Sequence, residues 1–266
     1  MEPDGLNLFG QSWEPENETL AVINLIHGIG EHSTRYSSMA EYYTERGIAI
    51  YAIDYRGHGK SEGKHGHTPS YEHLMKDIDL LLDYSEKDNN CKKRFIYGHS
   101  LGGNLVINYT LRRKPNITGL IASSPWLKLG FEPPKWQIKM ANIFKDIFPA
   151  LSQKTGFKKE DLSKNIKNIE LYEKDEMVHD KITVKLFVEA YDAAQWALDN
   201  ASKMPVPFLL MHGNEDKMTS PEGSKAFALN NNKTELKIWE GFYHEIHNEE
   251  ENEKVYNWVI DWVGKL

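Results

Sequence analysis

The chain is predicted to fold as an α/β protein: a mostly parallel central sheet flanked by helices, with a helical segment inserted before the late strands. Three observations carry this expectation. Short β-branched apolar runs recur and end in Gly, His, Asp or Ser; longer stretches with apolar residues at helical spacing separate them; and residues 126–192 interrupt the alternation. Alternating strand and helix signals are what a parallel sheet with crossover helices leaves in a sequence.

The opening DGLNLFGQSWEP predicts an antiparallel edge hairpin. TLAVINLIHG then reads as a buried strand, YSSMAEYYTERG as a helix and GIAIYAIDYRG as a second buried strand. YEHLMKDIDLLLDYSEK and NLVINYTLRRK are helices on either side of the strand KRFIYGHS, and ITGLIASSPW is the strand that follows. The chain closes with strands PVPFLLMHG and TELKIWEGFYH and the helix NEKVYNWVIDWVGKL.

No convincing strand is visible between residues 126 and 192. Pro133 and Pro134 open a segment in which Trp136, Met140, Ile143, Phe144, Ile147, Phe148 and Leu151 share one stripe, with Lys135, Lys139, Asn142, Lys145 and Asp146 opposite. The expected organisation is a core from 1–125, a helical cap at 126–192 over the carboxyl edge of the sheet, and the rest of the core at 193–266. The stripe can pack the cap onto the core, line an apolar slot or touch lipid, and different residues can do each.

The 32 Lys and Arg residues against 39 Asp and Glu give a formal charge of −7, which disfavours nucleic acid and strongly anionic membranes as partners. The opening MEPDGLNLFG lacks the basic and apolar regions of a secretory leader, and no run reaches the roughly 18 apolar residues of a membrane span. A cytoplasmic protein is expected. Cys91 is the only cysteine, so no intrachain disulfide or cysteine-based zinc site can form.

In FIYGHSLGG, Gly98 and Gly102 flank Ser100 at a strand-to-helix junction. G-x-S-x-G there makes a tight turn that holds the hydroxyl outward, because side chains at the glycines would strike neighbouring backbone. A serine is a weak nucleophile unless a histidine takes its proton and a carboxylate orients that histidine. Asp216 in HGNEDKMTSPEGS and His244 in GFYHEIHNE sit where strand ends deliver them, in the order this scaffold requires. Asp192 and Glu215 are rival carboxylates, and His247 is a rival base. The N–H groups of Leu101, at the start of the helix, and Ile29, in HGIGEHS, are placed to hold an oxyanion.

HGIGEHSTRY, DYRGHGKSEG, GHSLGG, HGNEDKMTSPEGS and FYHEIHNE together resemble the monoacylglycerol lipase and lysophospholipase branch of the α/β-hydrolases, from about Leu20 to the C-terminus. The cap matches loosely through LYEKDEMVHDK, where Glu176 replaces the family's usual proline. The resemblance implies an α/β-hydrolase fold, a triad of Ser100, Asp216 and His244, and an oxyanion hole at Ile29 and Leu101. It further implies that Glu31, Arg35, His247 and Tyr172 face a glycerol head group; Glu31 and Arg35 can equally be an ion pair bracing the oxyanion loop.

GHGKS fails as a phosphate loop because Asp54 stands where glycine is needed, and His65 and His67 have no metal-ligand partner at suitable spacing. The expected activity is fatty-acid release from a monoacylglycerol with no cofactor or metal, the cap contacting membrane transiently. A lysophospholipase and a short-chain carboxylesterase share the same catalytic residues; a non-catalytic ligand-binding member of the fold would lack one.

Overall fold

The computed structural model describes residues 5–266, so the acidic opening at 1–4 lies outside it. Its first strand, β1 (Phe9–Trp13), pairs antiparallel with β3 (Ile48–Asp54), while β2 (Ala21–Ile26) lies parallel to β3 on the inner side. The expected edge hairpin is thus a single edge strand. β2 cannot serve as its hairpin partner because both edges of β2 are taken by parallel neighbours.

The chain continues through α1 (Ser37–Thr44), α2 (Tyr71–Asp88), β4 (Arg94–His99), α3 (Leu101–Arg113) and β5 (Gly119–Ser123). After β5 come α4 (Lys135–Ile147), β6 (Ser152–Lys154), α5 (Ile166–Lys174) and β7 (Lys181–Thr183). α6 (Val184–Asp199), β8 (Phe208–Gly213), α7 (Pro221–Leu229), β9 (Thr234–Trp239) and α8 (Asn252–Lys265) complete the fold. The central sheet has the order β1-β3-β2-β4-β5-β8-β9 and is parallel except for β1.

Strand residues alternate between two cores. Ile23, Leu25, Ile50 and Phe95 face α1 and α8, packing with Met39, Tyr43, Val259 and Trp262; Val22, Ile26, Tyr51 and Ile96 face the other layer with Leu74, Ile78 and Leu105. Both faces are covered, so the strands are continuously apolar and each fully buried Ile or Leu contributes roughly 1.5–3 kcal/mol.

The strand order reverses at β2, whose successor β3 lies on one side and β4 on the other. In open α/β sheets ligands bind beyond the strand carboxyl ends at such a point. The loops after β2 and β4 carry Gly28 and Ser100.

The segment expected to lack strands contains a short antiparallel ribbon, Ser152 opposite Thr183 and Lys154 opposite Lys181. Three-residue strands are too short for alternation to register, and their partners are far apart in sequence. α6 runs unbroken through residue 192, the expected end of the insertion. Its small face lets it lie close to α3, where the Asn104 and Asn108 amides donate to the Ala190 and Ala193 carbonyls at 3.2 and 3.1 Å. α4 has no buried residue; Trp136 is 65% exposed and Ile143 57%. Among the described residues no helix is long and apolar enough to cross a membrane.

Candidate active site

Ser100 occupies the turn between β4 and α3 with φ 54° and ψ −117°, a conformation an L-residue holds only under constraint. The constraint is visible around it. A Cβ on Gly102 would sit 2.2 Å from the Ile26 carbonyl oxygen, and one on Gly98 would sit within 2.5 Å of Val106. The Ser100 N–H donates to the Ser123 carbonyl at 3.1 Å, and its own carbonyl accepts from Trp126 and Asn104. The turn is therefore clamped between β2, β5 and α3, leaving the side chain at the wall of a cavity of about 350 Å³.

Asp216 lies in the turn after β8 and is buried. Its Oδ1 accepts the Met218 and Thr219 N–H groups at 2.8 and 3.0 Å, and its Oδ2 accepts Thr219 Oγ1 at 2.8 Å and His244 Nδ1 at 2.7 Å. His212 Nε2 approaches the same oxygen at 3.1 Å, with its Nδ1 on Ser224 Oγ. An ionised carboxylate only accepts, so both imidazoles present a protonated nitrogen to it. Burial would push the Asp216 carboxyl up, but the two imidazoles hold it well below the usual range. Burial lowers the His244 pKa as well, and the Asp216 charge outweighs it, leaving His244 above its ordinary value. His244 lines the same cavity as Ser100 with its Nε2 side unclaimed by the aspartate. The rivals lie elsewhere: Glu215 pairs with Lys164 at 3.1 Å and Asp192 with Lys145 at 3.7 Å, each about half exposed.

The loop after β2 is fixed on both sides of Ile29. The Gly28 N–H donates to Glu31 Oε1 at 2.6 Å, and its carbonyl accepts the Tyr55 hydroxyl at 2.9 Å. A Cβ on Gly28 would lie 3.1 Å from the Ser100 Cβ, so this loop lies against the serine. On the far side Gly30, at φ 76°, accepts the His179 N–H, from the loop between α5 and β7, at 2.9 Å. Leu101 begins α3, where the first N–H groups of a helix have no partner within it.

Glu31, Arg35 and Tyr172 line the cavity. Arg35 Nη1 donates to Glu31 Oε2 at 2.7 Å, and the Tyr36 hydroxyl donates to Glu31 Oε1 at 2.8 Å, so the carboxylate that holds Gly28 is itself held. The Tyr172 ring lies 4.9 Å from the Arg35 guanidinium, and burial pushes its phenol up to about 12. His247 does not line the cavity. It is fully buried, stacks on Tyr36 at 4.7 Å, and is pushed down to about 4 by burial, so it is a neutral packing group behind the site. His99 is also buried and bonded to Ser123 Oγ at 2.8 Å, but it lines the cavity beside Ser100. His65 stacks on His179 at 4.7 Å, and His67 hydrogen-bonds Thr183.

Sequence reasoning missed Glu245. It is buried, lines the cavity and binds Arg35 through both oxygens at 2.7 and 2.8 Å. Its partner is 210 residues away, and its neighbours in YHEIHNE give no sign of that pairing. Thr219 was not foreseen, although TSPEGS could have suggested a helix cap beside Asp216, and His212, which reads in the sequence as a strand-end residue bonding nearby backbone, reaches the Asp216 carboxylate.

A serine in a constrained strand–helix turn and a buried aspartate–imidazole pair open onto one cavity at the carboxyl edge of a parallel sheet, which defines a serine hydrolase of the α/β-hydrolase fold. The chain belongs to the family described as Serine aminopeptidase, S33, whose profile matches residues 17–251. That description names a peptidase; the similar proteins with named activities include monoacylglycerol lipases, a phospholipase and a carboxyl esterase. A crystal structure of Paleococcus ferrophilus monoacylglycerol lipase is 34% identical, with a TM-score of 0.88 over 97% of this chain and 98% of that one. The monoacylglycerol lipase of Mycolicibacterium smegmatis is 26% identical over 97% of this chain and 93% of its own. An uncharacterised abhydrolase domain-containing protein of Dictyostelium discoideum is 34% identical over 95% of this chain, which spans 27% of that protein's length.

Proposed function

We propose that the protein releases fatty acids from long-chain monoacylglycerols, with Ser100, His244 and Asp216 as its catalytic triad and residues 126–192 as a cap over the site. The observation that carries this reading is the junction of two cavities. Beside the catalytic cavity lies an apolar groove of about 420 Å³ lined by Trp126, Leu129, Ile138, Phe144, Phe187 and their neighbours. Thr155 and Phe157 line both. An acyl chain in the groove brings its ester carbonyl to Ser100 and leaves the alcohol at the polar end, beside Glu31, Arg35 and Tyr172. The catalytic cavity carries Glu31, Glu160, Asp180 and Glu245 against Arg35, Lys158 and Lys159, a balance that favours an uncharged head group.

His244 Nε2 takes the Ser100 proton as Oγ attacks the carbonyl, and the Leu101 and Ile29 N–H groups hold the oxyanion, each worth about 10²–10³ in rate. The same histidine then protonates the departing glycerol oxygen. Water, deprotonated by His244, cleaves the acyl-enzyme to fatty acid and free serine.

The test is fatty-acid release from a long-chain monoacylglycerol, lysophosphatidylcholine and a short-chain ester, compared by kcat/KM. The monoacylglycerol is expected to be the best substrate. A higher value for the phosphocholine ester makes the protein a lysophospholipase, and a higher value for the short ester makes it a carboxylesterase.

The outward side of α4 supports a second part of the proposal, contact with the lipid surface that holds the substrate. Ile143 and Ile147 on the helix beside the groove, and Phe148 just past its end, are each more than half exposed, and an apolar patch of this kind buries itself in a membrane interface. A double Ile143→Ser, Ile147→Ser variant should co-sediment less with phosphatidylcholine vesicles while hydrolysing a water-soluble short ester at the wild-type rate. Undiminished vesicle binding would rule the contact out.

A further inference from the structure

Glu245 directly follows the histidine, and its carboxylate turns into the polar end of the catalytic cavity, where it is 1% exposed. It grips Arg35 in a two-pronged pair and accepts the Asn168 and Asn248 amides, both at 2.8 Å, on Oε2. Burial alone would push this carboxyl up; Arg35 holds it well below the usual range, so it is charged. Arg35 meets Glu31 on the same nitrogen that meets Glu245 Oε1, and Tyr172 covers its face. One buried guanidinium therefore faces two buried carboxylates.

With Glu31 alone, Arg35 would be engaged only through Nη1 and its Nη1–Nη2 edge would stand open, and such an open edge is a fork for phosphate or carboxylate. Glu245 occupies that edge. Glu31 Oε2 and Glu245 Oε1 each accept one hydrogen bond among the described contacts, both from Arg35 Nη1 at 2.7 Å. Each oxygen keeps a lone pair, and two neighbouring acceptors match the two donors of a vicinal diol.

We propose that Glu245 is a specificity-determining residue that reserves the polar end of the cavity for uncharged, hydroxyl-bearing head groups and turns anionic ones away. The inference rests on the monoacylglycerol reading and assigns its selectivity to one side chain. An anion placed beside this trio meets a net negative charge out of water, where like charges repel strongly. Of the two lysines that line the same cavity, Lys158 is exposed, so water and salt screen its charge, and Lys159 is paired with Glu173 and Glu160.

The experiment measures kcat/KM for a monoacylglycerol and for the acylglycerol phosphate of the same chain length, with wild type and Glu245→Gln at one ionic strength. Wild type should prefer the neutral ester by about tenfold or more, and the variant should lose about tenfold of that preference, chiefly through a lower KM for the anionic ester. An unchanged ratio overturns the proposal. Binding of two non-hydrolysable probes to wild type, a long-chain alkyl glycerol ether and the same ether carrying a phosphate on its glycerol, checks the selectivity without depending on how the variant folds. The uncharged ether should bind at least about tenfold more tightly, and equal affinity overturns the role of Glu245. Should wild type cleave other acyl esters but no monoacylglycerol, the substrate reading falls on its own, while the probe comparison still judges Glu245.

Discussion

Replacing Ser100 by alanine should remove nearly all turnover, a fall in kcat on the order of 10⁶, because acyl transfer has no other route once the nucleophile is gone. The fold should survive. Alanine meets the same φ of 54° with a side chain no larger than serine's, and the surrounding bonds that clamp the turn come from backbone groups of Ser123, Asn104 and Trp126. Circular dichroism and the thermal midpoint should therefore match wild type, and a fluorophosphonate probe should label wild type and not the variant. A variant that kept the wild-type rate would remove Ser100 from the mechanism, and with it the reading of the cavity as a hydrolase site.

Asp216→Asn should lower kcat by about 10⁴ with little change in KM. The carboxylate accepts from His244 Nδ1 at 2.7 Å and so fixes the proton on that nitrogen, leaving Nε2 free to act as base. An asparagine that turned its amide toward His244 would present a donor and favour the opposite tautomer. The pH profile gives a second readout. His244 must be neutral to take the serine proton, and it titrates above its ordinary value because the Asp216 charge outweighs the effect of burial. Wild-type kcat/KM therefore falls as pH drops through that raised value. Removing the charge destabilises the imidazolium, so the acid limb of the residual activity should move to lower pH. A limb that stayed in place would show that another group sets it.

The elements that could be read in the sequence are those whose cause is local. The apolar runs of β2, β3 and β8 and the periodicity of α2 and α8 follow from neighbours a few residues apart. The ribbon of β6 and β7 escaped notice because each strand is three residues long and gains its meaning only from a partner almost thirty residues away. α4 shows the limit differently. Its stripe was visible, but whether an apolar side chain there meets a groove, as Phe144 does, or water, as Ile143 does, depends on what lies beneath the helix.

By itself the sequence determined the sheet, the turn that holds Ser100, and the residue types able to complete its chemistry. Those properties rest on steric and hydrophobic rules acting within one strand, one helix or one turn, such as the need for glycine where a Cβ would strike the backbone of β2. Only the tertiary structure decided that Asp216 rather than Glu215 or Asp192 meets His244, that His247 packs behind the site, and that Arg35 lies between Glu31 and Glu245. Each of these is a choice among chemically equivalent groups. It is made by strand order and crossover, which bring distant residues within hydrogen-bond reach and leave no periodic mark on the chain.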